Sequence, residues 1–354
     1  MFREYLKYIR TLKIEDGSMR KVGIGVVGLG RIGKLHAEVF HAKIERARLV
    51  AVCDAYEELA RKVGESMGVK WYKDYGSMLK DPEIDAVVIC TPTFLHADMV
   101  IQALENDKNV FCEKPLTVTS TEAKEVFKKT QESGKIVQVG YMRRFDSAFS
   151  QAKEKIVKGT IGRPLIFIGI ARDPAPPPGW AADPKLSGGI FLDMLSHDFD
   201  MARWLMDSEV AKVYVRGGSY IYKEVGEKGD LDVVAINFEF KSGALGIIHG
   251  SRKSAFGYDL RTEVMGTEGT VYVGCSHDPL FSVGTSEGLT FYGVQWFFKR
   301  FYDAYVEEDK HFVECVIKNR RPLVTVLDGL RAVQIAEACW KSLKNERVEE
   351  VSLD

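Results

Sequence analysis

The stretch from Val22 to Gly33 constrains the fold more than any other part of the chain. Val22 to Val27 is a short apolar run rich in β-branched residues, typical of a strand buried on both faces of a parallel sheet. Gly28, Gly30 and Gly33 follow in G-x-G-x-x-G spacing. In a dinucleotide loop the first glycine makes the tight turn, the second lets the backbone approach a pyrophosphate, and the third lets the helix pack on the strand. An ordinary glycine turn is the alternative.

A helical pattern begins directly after the second glycine, at Arg31 and Ile32. Free N–H groups at the start of a helix bind phosphate, so we expect these two residues to contact the dinucleotide. A second β-rich run, Arg48 to Cys53, ends in Asp54, which lies 54 − 33 = 21 positions after Gly33. A carboxylate at this spacing accepts hydrogen bonds from the adenosine ribose and repels a 2′-phosphate, which favours NAD over NADP. A helix cap or turn residue is the alternative for Asp54.

The chain length predicts two domains. With 354 residues, we expect an N-terminal extension over 1–18, a nucleotide-binding domain over 19–141, and a substrate-binding and oligomerisation domain over 142–354. Lys and Arg number 49 against 50 Asp and Glu, so no basic domain indicates nucleic acid. No window approaches the roughly 18 uninterrupted apolar residues of a membrane span.

The N-terminal extension and the cysteines indicate the cellular compartment in which the protein is expected. Met1 to Ser18 carries charges throughout and lacks the apolar segment of a secretory signal. The six cysteines include no C-x-x-C pair, so we expect neither a zinc site nor a redox couple, and no metal. Free thiols at the ends of apolar strands fit a reducing cytoplasm.

From residue 21 to about 140, short β-rich runs alternate with longer helical patterns. This alternation predicts an α/β domain with a doubly wound parallel sheet, the Rossmann arrangement. Ligands of such sheets collect at the carboxyl ends of the strands. Asp54, Thr91, Glu113 and Lys114 all follow predicted strands, so we expect the site at that edge.

Beyond Gly140 the pattern changes to an α+β domain. A strand over Leu165–Ala171 is followed by a proline-rich loop, Asp173–Gly179, which is either a surface connector or a wall of the ligand pocket. Gly188 and Gly189 open a helix predicted over 190–206. The later strands form a meander, which predicts a mostly antiparallel open sheet, followed by two closing helices. These strands are predicted over 212–220, 233–240, 244–249, 258–265 and 270–273, and the helices over 295–317 and 327–343.

Three residues indicate hydride-transfer chemistry. Lys114 follows the strand Val110–Cys112 at the edge where a nicotinamide would lie. Asp193 and His197 are four positions apart in the helical pattern, so we expect them to share a helix face. An imidazole whose tautomer is fixed by a carboxylate suits proton transfer near neutral pH. The alternatives are a solvated turn lysine and a local hydrogen-bonded pair.

Three stretches of the chain resemble the Gfo/Idh/MocA oxidoreductase family: Phe111–Pro115, Val137–Asp146 and Gly188–Asp200. The last two are similar in particular to its inositol 2-dehydrogenases. The glycine loop, the E-K-P motif and the D-x-x-x-H motif occur in the expected order, and the resemblance covers nearly everything from about Met19 onward.

The resemblance implies a role for each of the three candidate residues. Lys114 would hydrogen-bond the reacting hydroxyl and stabilise charge on its oxygen, His197 would accept the proton, and Asp193 would orient the pair. Hydride would pass from the carbinol carbon to C4 of NAD. Glu113 would contact the nicotinamide ribose, and the Lys114–Pro115 peptide would be cis.

The resemblance also implies further contacts. Thr91, Pro92 and His96 match the nucleotide-side loop of the family, with a helix cap as the alternative for His96. Arg143 and Tyr258 match positions that line the polyol pocket. A surface ion pair and an ordinary strand aromatic are the alternatives for these two residues.

One position departs from the inositol 2-dehydrogenase pattern. Ala171 stands where some of these enzymes carry a histidine, which removes a contact to a ring hydroxyl. Small changes of this kind switch the preferred isomer, because a site built for several hydroxyls rejects an analogue that lacks one.

We therefore expect NAD-dependent oxidation of a ring secondary alcohol of myo-inositol or a related cyclitol. The rate is expected to rise with pH as His197 loses its proton. The alternatives are an NAD(P)-dependent sugar dehydrogenase of the same family and a non-catalytic protein that senses nucleotide and sugar. A sheet face without helices needs a partner, so we expect a homo-oligomer, and the family implies a tetramer.

Overall fold

The computed structural model describes residues 21–274, 282–286, 288–294 and 296–354. The predicted extension over 1–18 and Cys275 lie outside these residues. Within the described part of the chain, no helix is long and apolar enough to cross a membrane.

The first half forms the predicted doubly wound sheet. Six strands pair in the order β3-β2-β1-β4-β5-β6, and every pair is parallel. Every residue of the two central strands β1 and β4 is buried, as expected of strands covered on both faces. The strands are β1 (Val22–Val27), β2 (Ala47–Cys53), β3 (Lys70–Tyr72), β4 (Ala86–Ile89), β5 (Asn109–Glu113) and β6 (Val137–Gly140).

Helices connect these strands and cover the sheet. Thr119 and Glu122 form a capping box at the start of the longest of them, in which each side chain accepts the other residue's backbone N–H. The connecting helices are α1 (Arg31–Ala42), α2 (Glu57–Met67), α3 (Tyr75–Leu79), α4 (His96–Glu105) and α5 (Ser120–Ser133).

The second half contains a seven-stranded sheet in the order β12-β11-β7-β10-β9-β8-β15. The prediction of a mostly antiparallel sheet is confirmed, with one exception: β7 and β10 are parallel. Its strands are β7 (Pro164–Arg172), β8 (Val210–Gly218), β9 (Val233–Phe240), β10 (Leu245–Ser251), β11 (Asp259–Gly266), β12 (Thr270–Val273) and β15 (Glu349–Glu350). A separate hairpin consists of β13 (Ser282–Thr285) and β14 (Gly288–Phe291).

The helix predicted over 190–206 is divided into two segments. Ile190–Met194 forms a π-helical turn, and a regular α-helix then runs from Ser196 to Met206. Gly188 and Gly189 precede the turn at φ 79° and 66°, a backbone region that favours glycine. The helices of this half are α6 (Ser147–Val157), α7 (Pro184–Ser187), α8 (Ser196–Met206), α9 (Lys223–Glu227), α10 (Phe297–Lys318) and α11 (Val326–Asn345).

The two faces of the second sheet differ. Along β9 and β10, buried residues alternate with outward-facing ones. Helix α8 packs against β7 of this sheet, and helix α11 packs against β8. On the outer face, Leu245 and Ile247 remain 54% and 43% exposed. Helix α10 instead packs against the first sheet, where the rings of Phe312 and Phe111 lie 5.8 Å apart.

Candidate active site

The three loop glycines have different surroundings. Gly28 has φ +86°, and a Cβ placed there would lie 2.7 Å from the Cys90 carbonyl. A Cβ on Gly33 would lie 1.8 Å from the backbone oxygen of Gly28, so only glycine allows this close packing. A Cβ on Gly30 would meet nothing within 4 Å. The backbone at Gly30 therefore faces open space beside the start of α1, where a pyrophosphate fits.

Asp54 lies at the carboxyl end of β2, beside this loop. Its Oδ2 accepts a hydrogen bond from the Leu29 N–H at 2.8 Å, and its Oδ1 accepts one from the Tyr56 N–H at 2.9 Å. The carboxylate thus holds the glycine loop, in addition to the ribose contact predicted for it. At the start of α1, the exposed guanidinium of Arg31 lies 5.6 Å from the ring centre of Trp296, and Ile32 is partly buried.

The segment after β4 contains Thr91, Pro92 and His96. Thr91 and Pro92 are partly buried at the sheet edge, and their contact with the nucleotide stays a prediction. His96 is buried, and its ring nitrogens lie 2.8 Å from the Pro115 carbonyl oxygen and 2.9 Å from that of Thr91. The buried ring therefore ties together two loops at this edge of the sheet, and the direct cofactor contact of His96 stays a prediction.

Lys114 joins the two halves of the molecule. It follows β5 directly, and the Lys114–Pro115 peptide is cis. Its Nζ donates a hydrogen bond to the backbone oxygen of Asp193 in the π-helical turn, at 2.8 Å. The lysine from the first sheet therefore lies against the segment that carries the other two candidate residues.

His197 lies in the first turn of α8 and is only 7% exposed. Its ring packs edge-on against Tyr141, with ring centres 5.6 Å apart. Burial, together with the positive charges of Lys114 and Arg143, lowers the pKa of His197 well below 6.5. The imidazole is therefore neutral at physiological pH, the state that a general base requires.

The expected hydrogen bond between Asp193 and His197 is absent from the described contacts. The Asp193 carboxylate instead pairs with Arg252, with Oδ2 3.1 Å from Nη1, and the Nδ1 of His197 has no protein partner among the described residues. The prediction assumed one continuous helix, whereas Asp193 belongs to the π-helical turn and His197 to the following helix. The i,i+4 geometry therefore does not hold between them.

Arg143 and Tyr258 are both buried and in contact with each other. Arg143 Nη2 donates to the Tyr258 hydroxyl at 3.4 Å, and Nη1 lies 3.0 Å from a carboxylate oxygen of Asp198. The alternative of a surface ion pair for Arg143 is therefore wrong. Its charge also affects His197, so this pair lies beside the candidate base.

Sequence reasoning missed two charged residues at the site, Asp173 and Arg252. They directly follow β7 and β10, and the Asp173 N–H donates to the Ser251 carbonyl at 2.9 Å. Burial raises the pKa of Asp173 to about 6, and the nearby carboxylate of Asp193 adds to the rise. A charged residue directly after an apolar strand was the available signal, but its use depended on knowing that β7 and β10 run parallel.

Glu113 belongs to a buried polar cluster beneath the site. Its Oε2 accepts the Lys114 N–H at 2.9 Å, and its Oε1 lies 3.1 Å from His36 Nε2. The other ring nitrogen of His36 lies 2.8 Å from Asp309 on α10. Burial alone would lower the pKa of His36, but Asp309 and Glu113 raise it well above 6.5. Both oxygens of Glu113 therefore have protein partners, and its contact with a ribose stays a prediction.

The proline-rich loop lines a cavity of about 270 Å³ together with Asp230 and Arg252. Trp180, just after the loop, packs edge-on against Phe94 of the nucleotide-side segment, with ring centres 6.3 Å apart. The loop is therefore more than a surface connector. Lys114 is not among the described residues that line this cavity.

Family profiles match both halves of the chain. The profile described as an oxidoreductase family with an NAD-binding Rossmann fold matches residues 22–141, and the GFO/IDH/MocA C-terminal domain matches residues 149–272. The chain belongs to the Gfo/Idh/MocA oxidoreductase family. The predicted family, the Rossmann fold and the NAD cofactor are thereby confirmed.

Relatives of this Gfo/Idh/MocA oxidoreductase match along almost their whole length. The chain is 40% identical to the scyllo-inositol 2-dehydrogenase (NAD(+)) of Bacillus subtilis, covering 92% of this chain and 95% of the relative. It is also 40% identical to the Myo-inositol 2-dehydrogenase of Thermotoga maritima, covering 92% and 97%. The scyllo-inositol dehydrogenase of Lactobacillus casei, solved with bound NAD(H) and scyllo-inositol, superposes with a TM-score of 0.88 at 30% identity, covering 94% and 99%.

Proposed function

We propose that this Gfo/Idh/MocA oxidoreductase oxidises a ring secondary alcohol of an inositol to the ketone, with NAD as the hydride acceptor. The hydrogen bond from Lys114 Nζ to the Asp193 carbonyl carries the proposal. It brings an ammonium group at the edge of the nucleotide-binding sheet close to a buried neutral imidazole from the other half. We expect one small alcohol to contact both groups.

Lys114 and His197 have different roles in the reaction because they carry different charges. Lys114 is a hydrogen-bond donor for the reacting hydroxyl, and its positive charge stabilises negative charge that develops on that oxygen. His197 is held neutral by burial and by two cations, so it is available to accept the hydroxyl proton. When bound, NAD supplies the position that accepts the hydride.

The cofactor contacts follow from the glycine loop. Gly28 and Gly33 shape the turn, and the open backbone at Gly30 admits the pyrophosphate. Arg31 and Ile32 offer helix N–H groups to the phosphates, and Asp54 accepts from the adenosine ribose. Its negative charge disfavours the 2′-phosphate of NADP.

Several polar groups around the base fit a polyhydroxylated ring. Arg143 and Tyr258 lie on one side of His197, and Asp173 lies near Asp193. Each group can donate to or accept from a ring hydroxyl, and an analogue that lacked those hydroxyls would leave them unpaired. The substrate class supported by this arrangement and by the relatives is therefore an inositol, with myo- and scyllo-inositol as the isomers to test.

The experiment is an NADH-formation assay with myo-inositol, scyllo-inositol, glucose and xylose, each with NAD and with NADP. We expect turnover of an inositol with NAD. Turnover confined to an aldose would replace the proposal by a sugar dehydrogenase. We expect Lys114→Ala to lose most of its kcat with modest loss of NAD binding, whereas Lys124→Ala, at an exposed lysine of α5, keeps both. A protein that only senses sugar would bind nucleotide and sugar without forming NADH.

We also propose that the protein is a homotetramer assembled in part through the outer face of the second sheet. Leu245 and Ile247 leave apolar side chains exposed on that face, and burying them in a partner is favourable. Light scattering at micromolar concentration is the test, and a monomer would contradict the proposal. We propose separately that the protein is cytoplasmic, because its free thiols fit a reducing compartment.

A further inference from the structure

Arg252 occupies an unusual position for an arginine, because it is fully buried directly after β10. Its Nη1 lies 3.1 Å from the carboxylate of Asp193, and its Nη2 lies 2.9 Å from the carboxylate of Asp230. Its backbone N–H also donates to the Asp232 carbonyl at 2.8 Å, so the residue is held at both ends. One planar guanidinium therefore spans two carboxylates from different segments.

Asp230 connects this arginine to the start of the π-helical turn. Its second oxygen accepts a hydrogen bond from the Ile190 N–H at 2.9 Å. A Cβ at Gly189 would lie 2.6 Å from the same oxygen, so the glycine leaves room for this contact. Asp230 and Arg252 together hold the first residue of the turn and the side chain of its fourth residue, Asp193.

The same turn receives the candidate catalytic lysine. The backbone oxygen of Asp193 accepts from Lys114 Nζ, while the carboxylate of that residue faces Arg252. The Asp193 side chain has no hydrogen bond to His197 among the described contacts, so its orientation is determined by the arginine. A shift of the turn would move the lysine's acceptor and the carboxylate together.

We infer that Arg252 is a positioning residue for the alcohol oxidation, which acts by holding the carboxylate of Asp193 at the site. This inference rests on the proposed function. Arg252 does not itself contact the reacting atoms, since Asp193 lies between it and Lys114. Lysine cannot replace it, because an ammonium lacks the planar fork that reaches Asp193 and Asp230 at once.

A double-mutant cycle tests whether Arg252 acts through Asp193. The variants are Arg252→Lys, Asp193→Ala and their combination. Each is measured for kcat, for KM of the alcohol, for NAD binding by fluorescence and for melting temperature. The control is Arg261→Lys, at an arginine of β11 in the same sheet whose side chain is 38% exposed and pairs with Asp259.

We expect Arg252→Lys to lower kcat on the order of 10- to 100-fold, since a displacement of about 1 Å has effects of this size. NAD binding should change by less than about twofold, because none of the described contacts of Arg252 is with the glycine loop. In the Asp193→Ala background, the same arginine change should lower kcat by less than about threefold, because the group that it positions is gone. Arg261→Lys should leave all four quantities unchanged.

Two results would overturn the inference: an unchanged kcat in Arg252→Lys, or effects that multiply fully in the double variant. If Arg252→Lys does not fold, Asp230→Asn loosens the arginine and takes its place in the cycle with the same expected outcomes. The assay alcohol is whichever cyclitol or aldose the wild-type protein oxidises. If the proposed substrate is wrong, the wild-type protein will oxidise a different alcohol. The double-mutant cycle measured with that alcohol would still show whether Arg252 acts through Asp193.

Discussion

Replacing Asp173 by asparagine should stabilise the protein, and the gain should increase with pH. The carboxyl group of Asp173 is partly buried. Burial raises its pKa from an ordinary value of 3.8 to about 6, and the charge of Asp193 contributes to this rise. The folded protein thus binds a proton more tightly than the unfolded chain does. Stability from this group is present at low pH and falls as the pH rises through about 6. Asparagine keeps the shape and removes the charge.

The magnitude follows from the pKa difference. A shift of about 2 pKa units corresponds to about 3 kcal/mol between the two protonation states. Above about pH 7 the native Asp173 is ionised and carries this full cost, so Asp173→Asn gains at most about 3 kcal/mol. At pH 5 most of the native carboxyl is still protonated, and the gain is about half as large.

Urea unfolding of the cofactor-free protein at pH 5 and pH 8 measures both values, with the slope m checked for constancy. Asp303→Asn, at an exposed residue of α10, controls for the loss of one negative charge. A gain that is equal at the two pH values, or a variant less stable than the wild type at pH 8, would refute the electrostatic account of Asp173.

Three further predictions follow. Because the pKa of His197 lies well below 6.5, protonation of this ring should lower kcat/KM only at a pH well below 6.5. A fall in kcat/KM with an apparent pKa at or above 6.5 would contradict the assignment of His197 as a buried neutral base. Gly30→Ala should weaken NAD binding with an unchanged melting temperature of the cofactor-free protein, whereas Gly33→Ala should lower that temperature, since only the second substitution creates a clash inside the fold. Asp328→Ala should destabilise the protein by about 3–5 kcal/mol in urea unfolding, because it leaves two buried arginines without their shared carboxylate. The control is Glu65, which forms an exposed i,i+4 ion pair with Arg61. Glu65→Ala should lower the free energy of unfolding by only about 0.3–0.5 kcal/mol.

The sequence patterns predicted the first sheet closely because its strands are local apolar runs separated by helices. β1 has the predicted bounds, β2 begins one residue before its predicted start, and β5 extends one residue further at each end than predicted. The glycine loop was predictable for the same reason, since each glycine acts within a short segment. The meander of the second half was also found, because its strands alternate buried and exposed residues.

The parts that could not be predicted depend on contacts between distant positions. The parallel pairing of β7 with β10 places Asp173 beside Ser251, and no local pattern indicates it. The link between His36 and Asp309 joins residues 273 positions apart. The π-helical turn was missed because its apolar periodicity resembles that of an ordinary helix, and the turn decides that Asp193 faces Arg252.

The packing of α10 on the first sheet has a consequence for any attempt to divide the protein. Phe312 fills the space beside Phe111, and Asp309 supplies the counterion of buried His36. A fragment ending near residue 141 would lose both, which would expose an apolar surface and leave Glu113 as the remaining described partner of His36. Part of the core of the nucleotide-binding half is therefore supplied by helix α10, which begins more than 150 residues after position 141. This half can reach its final packing only once nearly the whole chain has been synthesised.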